Sequence, residues 1–187
     1  MIIFSNICAF FEDIPSPSSM SYSHQVSPPQ KEPSSLPRDF FDGAEHKGIC
    51  SYGFHIVTDK DSSFSIHWNG GRGTNMMAEA MALSGLLSFC LFLDLHDVSI
   101  YGDSQVLINF VSGKNSITKS HLTGWLDRIH FLWNSLNGVS INHIRRELNQ
   151  VADCLSKKGL LDDQEWWHLQ VFSDGVNICI QDFFPPF

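Results

Sequence analysis

The chain has 187 residues, 43% hydrophobic and 12% aromatic, which suffices for one well-filled core of ordinary domain size. Its five cysteines, Cys8, Cys50, Cys90, Cys154 and Cys179, contain no CxxC pair; this argues against a disulfide framework or a zinc ribbon and for a reducing, intracellular setting, nuclear or cytoplasmic. The net charge of −8 speaks against a simple nucleic-acid binder, but its distribution changes the picture: residues 39–160 carry 12 acids and 10 bases, and residues 161–187 carry 5 acids and no base.

Met1–Phe11 is apolar but lacks a basic n-region, is interrupted by Asn6 and runs into Glu12-Asp13, so it does not read as a secretion signal. No apolar run reaches the roughly 20 residues of a membrane span. Residues 1–37 become Ser/Pro-rich from Ile14 onward and read as a disordered lead-in, with a domain boundary near Arg38. Arg38–Ala44 (RDFFDGA), Ile49–Thr58 and Ser63–Asn69 read as three consecutive antiparallel strands. Alternation in the first sends Asp42 to the face opposite Phe41. Gly70–Gly73 leads to a largely apolar helix over Met76–Asp94, capped by Thr74 or Asn75. In Val98–Val111 (VSIYGDSQVLINFV) strand character gives way to helical spacing at Gly102-Asp103-Ser104. Lys119–Leu136 is an amphipathic helix, Val139–Ile144 a last core strand, and Glu147–Lys158 a final helix within a domain ending near residue 160. Residues 161–187 form an acidic, aromatic extension. The nine histidines show no ligand spacing and read as strand or surface residues.

Four isolated carboxylates hold comparable positions: Asp42 in the first strand, Glu79 early in the first long helix, Asp103 at a strand-to-helix junction, and Asp153 in the last helix. Each has an ordinary explanation alone. Asp103 suits a helix cap, and Glu79 suits the positive end of a helix dipole. Brought to one sheet edge together, four ionised carboxylates would raise one another's pKa strongly, and divalent cations would remove that penalty.

At this point the chain resembles the type 1 ribonuclease H domain, particularly the reverse-transcriptase-like version of plant retroelements and retroelement-derived genes. The resemblance rests on FFDGA (Phe40–Ala44), GTNMMAE (Gly73–Glu79), YGDSQVLI (Tyr101–Ile108) and HIRRELNQVADCLSK (His143–Lys157), in order between Arg38 and Gly159. It implies an α/β ribonuclease H-like fold: a central five-stranded mixed sheet, three antiparallel strands then two parallel, flanked by helices. It implies hydrolysis of the RNA strand of RNA–DNA hybrids with two Mg2+ ions, Mn2+ being a substitute, held by Asp42, Glu79, Asp103 and Asp153 as catalytic acids. It further implies substrate contacts from Gly43, Thr74, Asn75, Ser104, Gln105 and Asn149. Met76 and Met77 stand where the family has polar and basic residues, and Glu147 holds the approximate place of a loop histidine. His143 fits better as part of the last strand. The helix Lys119–Leu136 offers only Lys119 and Arg128 as bases, so hybrid binding is expected to be weak. The expected partner is nucleic acid, with no membrane and no sign of an obligate oligomer. Two functions remain open at this level: the metal-dependent endonuclease, and a catalytically weak or silent domesticated domain of the same fold.

Overall fold

The computed structural model describes residues 38–117, 120–162, 167–174 and 176–183. The Ser/Pro-rich lead-in therefore lies outside the described residues. Strands β1 (Arg38–His46), β2 (Ile49–Val57) and β3 (Ser62–Arg72) form an antiparallel meander. Lys47 and Gly48, both at positive φ (51° and 81°), make the two-residue turn between the first pair, whose twist suits a tight hairpin. Helix α1 (Asn75–Phe92) leads to β4 (Ser99–Gly102), α2 (Gln105–Val111) and α3 (Thr123–Ser135). Then come β5 (Ser140–His143) and α4 (Gln150–Gly159), followed by β6 (Trp167–Ser173) and β7 (Val176–Phe183).

The strand order is β5-β4-β1-β2-β3-β6-β7, with β4 parallel to β1 and β5 parallel to β4. The expected five strands make up the first five places, and the β6–β7 hairpin extends the sheet to seven. Trp167, Leu169 and Val171 are buried at alternate positions of β6, the mark of a strand with one face on a core. In the sequence that alternation is obscured by the acidic and aromatic composition around it.

Two cross-strand rows define the faces of the sheet. Phe41, Phe54, Ile66 and Leu169 are paired in register and face α1; all four are buried in one core cluster with Leu83, Leu86 and Leu87. The next row is Asp42, Gly53, His67 and His168, on the other face, where α4 lies. At Gly53 a Cβ would stand 2.4 Å from Leu155 Cβ and 2.6 Å from the Ser156 nitrogen, so the missing side chain is what lets α4 sit on the sheet.

Helix α1 is apolar on every face, as a largely enclosed helix should be. By length and composition it could cross a membrane, yet 72% of it is buried inside this fold. Arg128 of α3 reaches across to donate to Ser84 Oγ at 3.0 Å and Ser88 Oγ at 3.5 Å, satisfying two hydroxyls on an otherwise apolar surface. Two expected elements differ. β5 is a largely exposed edge strand rather than a core strand, since only β4 pairs with it. The last helix starts at Gln150 instead of Glu147, after a 3-10 turn over Arg146–Leu148. The break falls at Asn149, whose fully buried side chain donates to the Phe41 carbonyl at 2.8 Å and pins the junction to β1.

Candidate active site

Three carboxylates meet at one end of this arrangement. Asp42 sits mid-β1, Glu79 is the fifth residue of α1, and Asp103 follows the last residue of β4. One carboxylate oxygen from each lies within 4.8 Å of the others. The approach of β1 to α1 depends on Gly43: a Cβ there would lie 2.2 Å from the Glu79 nitrogen and 2.3 Å from the Ala78 carbonyl carbon. Gly43 also directs its backbone amide to the Glu79 carboxylate. The packing of α1 on β1 therefore requires glycine at this position. Gly43→Ala should destabilise the fold by roughly 2–3 kcal/mol or more in urea unfolding, since backbone must move to admit the methyl.

The electrostatics are those of a site built for cations. Asp42 is only 3% exposed and its pKa is pushed up to about 7, first by burial and then by the charges of Asp103 and Asp153; the Ser156 hydroxyl, donating to Asp42 Oδ2 at 2.5 Å, opposes the rise. Glu79, 6% exposed, is raised well above the ordinary carboxylate range by burial and by Asp42 and Asp103. Glu79 Oε2 and Asp103 Oδ1 are buried without a hydrogen-bond partner. Orphaned acceptors of this kind are costly in a finished interior, and a divalent cation bound by oxygen ligands would satisfy them. The donor set therefore fits such an ion.

The ordinary readings of two acids do not describe the structure. Ser104, not Asp103, is the N-cap of α2, and Glu79 lies beyond the first turn of α1. Asp153 stands apart from the three converging acids. Arg146 Nη2 and Lys157 Nζ each reach it at 2.6 Å, and although burial alone would raise its pKa, these donors hold it below the usual value. It remains close enough for its charge to act on Asp42.

A family model described as reverse transcriptase-like matches residues 40–159. The chain belongs to that ribonuclease H-like family. No curated protein sequence matches it. Among solved structures, ribonuclease H1 of the halophilic archaeon Halobacterium salinarum is similar at 26% identity and a TM-score of 0.63, covering 67% of this chain and 98% of that one. The N-terminal RNase H domain of a Mycobacterium tuberculosis protein shares the fold at 20% identity and a TM-score of 0.61, over 67% and 94% of the two chains. LC11-RNase H1, isolated from compost and solved with an RNA/DNA hybrid, does so at 22% identity and a TM-score of 0.59, over 66% and 95%.

The remaining positions of the ribonuclease H-like domain sort by exposure. Thr74 caps α1, its hydroxyl accepting from the Met77 amide at 3.3 Å, and Asn75 beside it is exposed. Met76 and Met77 are half-buried against the core, which explains how apolar residues come to stand there. Ser104 makes no side-chain cap bond, and Gln105 donates to Asn109 Oδ1 at 2.9 Å on its own helix. Asn149 is enclosed, and its side-chain amide ties the start of α4 to the Phe41 carbonyl, next to Asp42. His143 ends β5 opposite Gly102, and Glu147 lies in the 3-10 turn; both are exposed. Sequence reasoning missed Ser156. It lies three residues after Asp153, on the same side of α4, a spacing at which helix side chains are neighbours.

Proposed function

We propose that this chain is a metal-dependent endonuclease, of retroelement ancestry, that hydrolyses the RNA strand of RNA–DNA hybrids. The observation that carries the reading is the meeting of Asp42, Glu79 and Asp103 with two buried carboxylate oxygens left unpartnered. The fold supports the substrate class, since LC11-RNase H1 was solved on it with an RNA/DNA hybrid.

In this reading Asp42, Glu79, Asp103 and Asp153 hold a pair of magnesium ions, for which manganese can substitute. Such a pair supplies activation of a water and stabilisation of the leaving oxygen in an in-line displacement at phosphorus. Asp42 is held in place by Ser156 and by the Asn149 tie, and Glu79 by the Gly43 amide. Asp153 joins by exchanging Lys157 or Arg146 for a cation, so those two side chains set how readily the fourth ligand is recruited. Thr74, Asn75, Ser104 and Gln105 offer uncharged polar groups to the wide minor groove of a hybrid, where 2′-hydroxyls are displayed. Arg145, Arg146, Lys157 and Lys158 are exposed bases around α4 and supply phosphate neutralisation, whereas Arg128 is turned inward to Ser84 and Ser88.

The test is a hybrid with a labelled RNA strand, incubated with the full chain with and without magnesium. Magnesium-dependent fragments ending in 3′-hydroxyl and 5′-phosphate, with the DNA strand intact, are expected. Magnesium binding without any cleavage would favour the silent domesticated domain. Ser156→Ala should lower magnesium affinity and cleavage about 10-fold without unfolding the domain, the usual size of an effect from a group that orients a ligand. A variant with unchanged magnesium affinity would remove Ser156 from this role.

A further inference from the structure

Outside the carboxylate cluster, a second group of metal-ligating side chains gathers on the same face of the sheet. His67 on β3 and His168 on β6 are direct cross-strand partners. Their rings stack with centroids 4.9 Å apart and planes 22° from parallel. Both Nε2 atoms lie 3.5 Å from a single oxygen, Asp162 Oδ2. One ligand atom from each of the three residues falls within 4.8 Å of the others.

Asp162 is itself held. Its carbonyl accepts from Asn69 Nδ2 at 2.7 Å, and the Asn69 Oδ1 accepts from the Gly71 amide at 2.9 Å. The three ligands thus come from β3, β6 and the turn beyond α4, three residues past Gly159, each on backbone fixed by sheet register or by a hydrogen bond. All three side chains are 20% exposed, so an ion would have a way in.

We propose that His67, Asp162 and His168 form a second metal site, taking a zinc-class transition ion that fastens the β6–β7 hairpin and the end of α4 to the core sheet. Two imidazoles and one carboxylate are the ligand types zinc favours, and three protein ligands leave a fourth position for water. Metal–ligand distances of about 2.0–2.1 Å in a tetrahedron give a ligand–ligand edge of about 3.3 Å. The two nitrogen–oxygen edges, at 3.5 Å, need almost no adjustment. Magnesium and calcium are disfavoured, since both prefer sets of oxygen ligands. Lys158 is near enough for its charge to act on His67, which disfavours an ion held by Coulomb attraction alone and leaves one bound through nitrogen.

The site is separate from the nuclease centre. Asp42, Gly53, His67 and His168 occupy successive strands of one row, which places His67 roughly 10 Å from Asp42 at the usual strand spacing. Helix α4 lies between, over Gly53.

The experiment uses the untagged full chain in excess magnesium, titrated with zinc by calorimetry and with cobalt(II) by visible absorption. One zinc equivalent should bind, with cobalt giving the intense bands of a tetrahedral ion, and zinc should raise the melting temperature. Asp162→Asn and His168→Gln should each weaken zinc binding by more than about 100-fold, beyond the 10–100-fold typical of outer-shell changes. Cys154→Ser and Asp103→Asn should leave it intact, which separates this site from the exposed thiol and from the carboxylate cluster. Circular dichroism of each metal-free variant establishes that it folds. Should His168→Gln not fold, Asp162→Asn decides alone, because it keeps the backbone bond to Asn69. No zinc uptake by the wild type, or wild-type affinity in Asp162→Asn, overturns the site; hybrid cleavage, measured without zinc, is unaffected by either result.

Discussion

Replacing Asp103 with asparagine is expected to leave the metal-free protein as stable as the wild type or more stable, while magnesium binding and hybrid cleavage collapse. The two halves have different origins. Without metal, the Asp103 charge raises the pKa of both Asp42 and Glu79, which means that it destabilises their ionised forms. Asparagine keeps the shape and removes that repulsion. Nothing is lost at the start of α2, because Ser104 and not Asp103 is its N-cap. With metal, a half-buried anionic member of the proposed ligand set is gone, and cleavage should fall by at least roughly 10²–10³-fold, the scale on which single preorganised electrostatic groups act. Stabilisation by magnesium should shrink accordingly, by about 1.4 kcal/mol for every tenfold loss of affinity. Thermal melts at several magnesium concentrations and cleavage rates on one hybrid read out both halves. Equal cleavage by wild type and Asp103→Asn would remove Asp103 from the chemistry. If neither cleaves but only the wild type is stabilised by magnesium, the fold has kept its metal site and lost its nuclease function.

The three converging acids were legible in the sequence because each is a lone charge at a place with a definable geometry. Asp42 sits in a strand whose alternation sets its face, Glu79 is the single charge of an otherwise apolar helix, and Asp103 marks a change from strand to helical spacing. Other parts depend on register and packing, which no local pattern carries. Asn149 and Ser156 look like ordinary polar residues at a helix start and a helix face. Only the docking of α4 over Gly53 turns one toward the Phe41 carbonyl and the other toward Asp42. Nothing around Gly43 in the sequence shows that backbone packs against it, and that constraint emerges only when α1 is laid against β1. The histidines make the same point more strongly. His67 and His168 are far apart in sequence and show no ligand spacing, yet the pairing of β3 with β6 stacks their rings. That pairing was itself hidden, because the strand carrying His168 lies in a segment whose acidity and aromatics suggested an appended tail.

The second large effect concerns an acid that plays no part in the site. Asp39 lies on β1 facing α1, with no exposed surface; the Cys90 thiol donates to its Oδ2 at 3.1 Å, and its Oδ1 has no partner. Burial pushes its pKa from 3.8 up to about 7, with the Cys90 hydrogen bond opposing the rise. Since the folded-state pKa is above the unfolded one, folding takes up a proton. The stabilising contribution is complete below about pH 4, falls as pH rises towards 7, and is absent at pH 8. The rise from 3.8 to about 7 corresponds to about 4 kcal/mol across that window. Asp39→Asn removes the titration. Its amide leaves an unpartnered donor in the core, which costs about 1–3 kcal/mol at every pH. The variant should therefore be no more stable than the wild type at pH 4 and more stable at pH 8, and the two stability curves should cross. Asp42 is raised into the same range, but it is present in both proteins, so the difference between their curves isolates Asp39. Urea unfolding at pH 4, 6 and 8 measures the difference directly. Parallel curves for the two proteins would mean that Asp39 is ionised in the folded state, and that its surroundings solvate the charge far better than its burial implies.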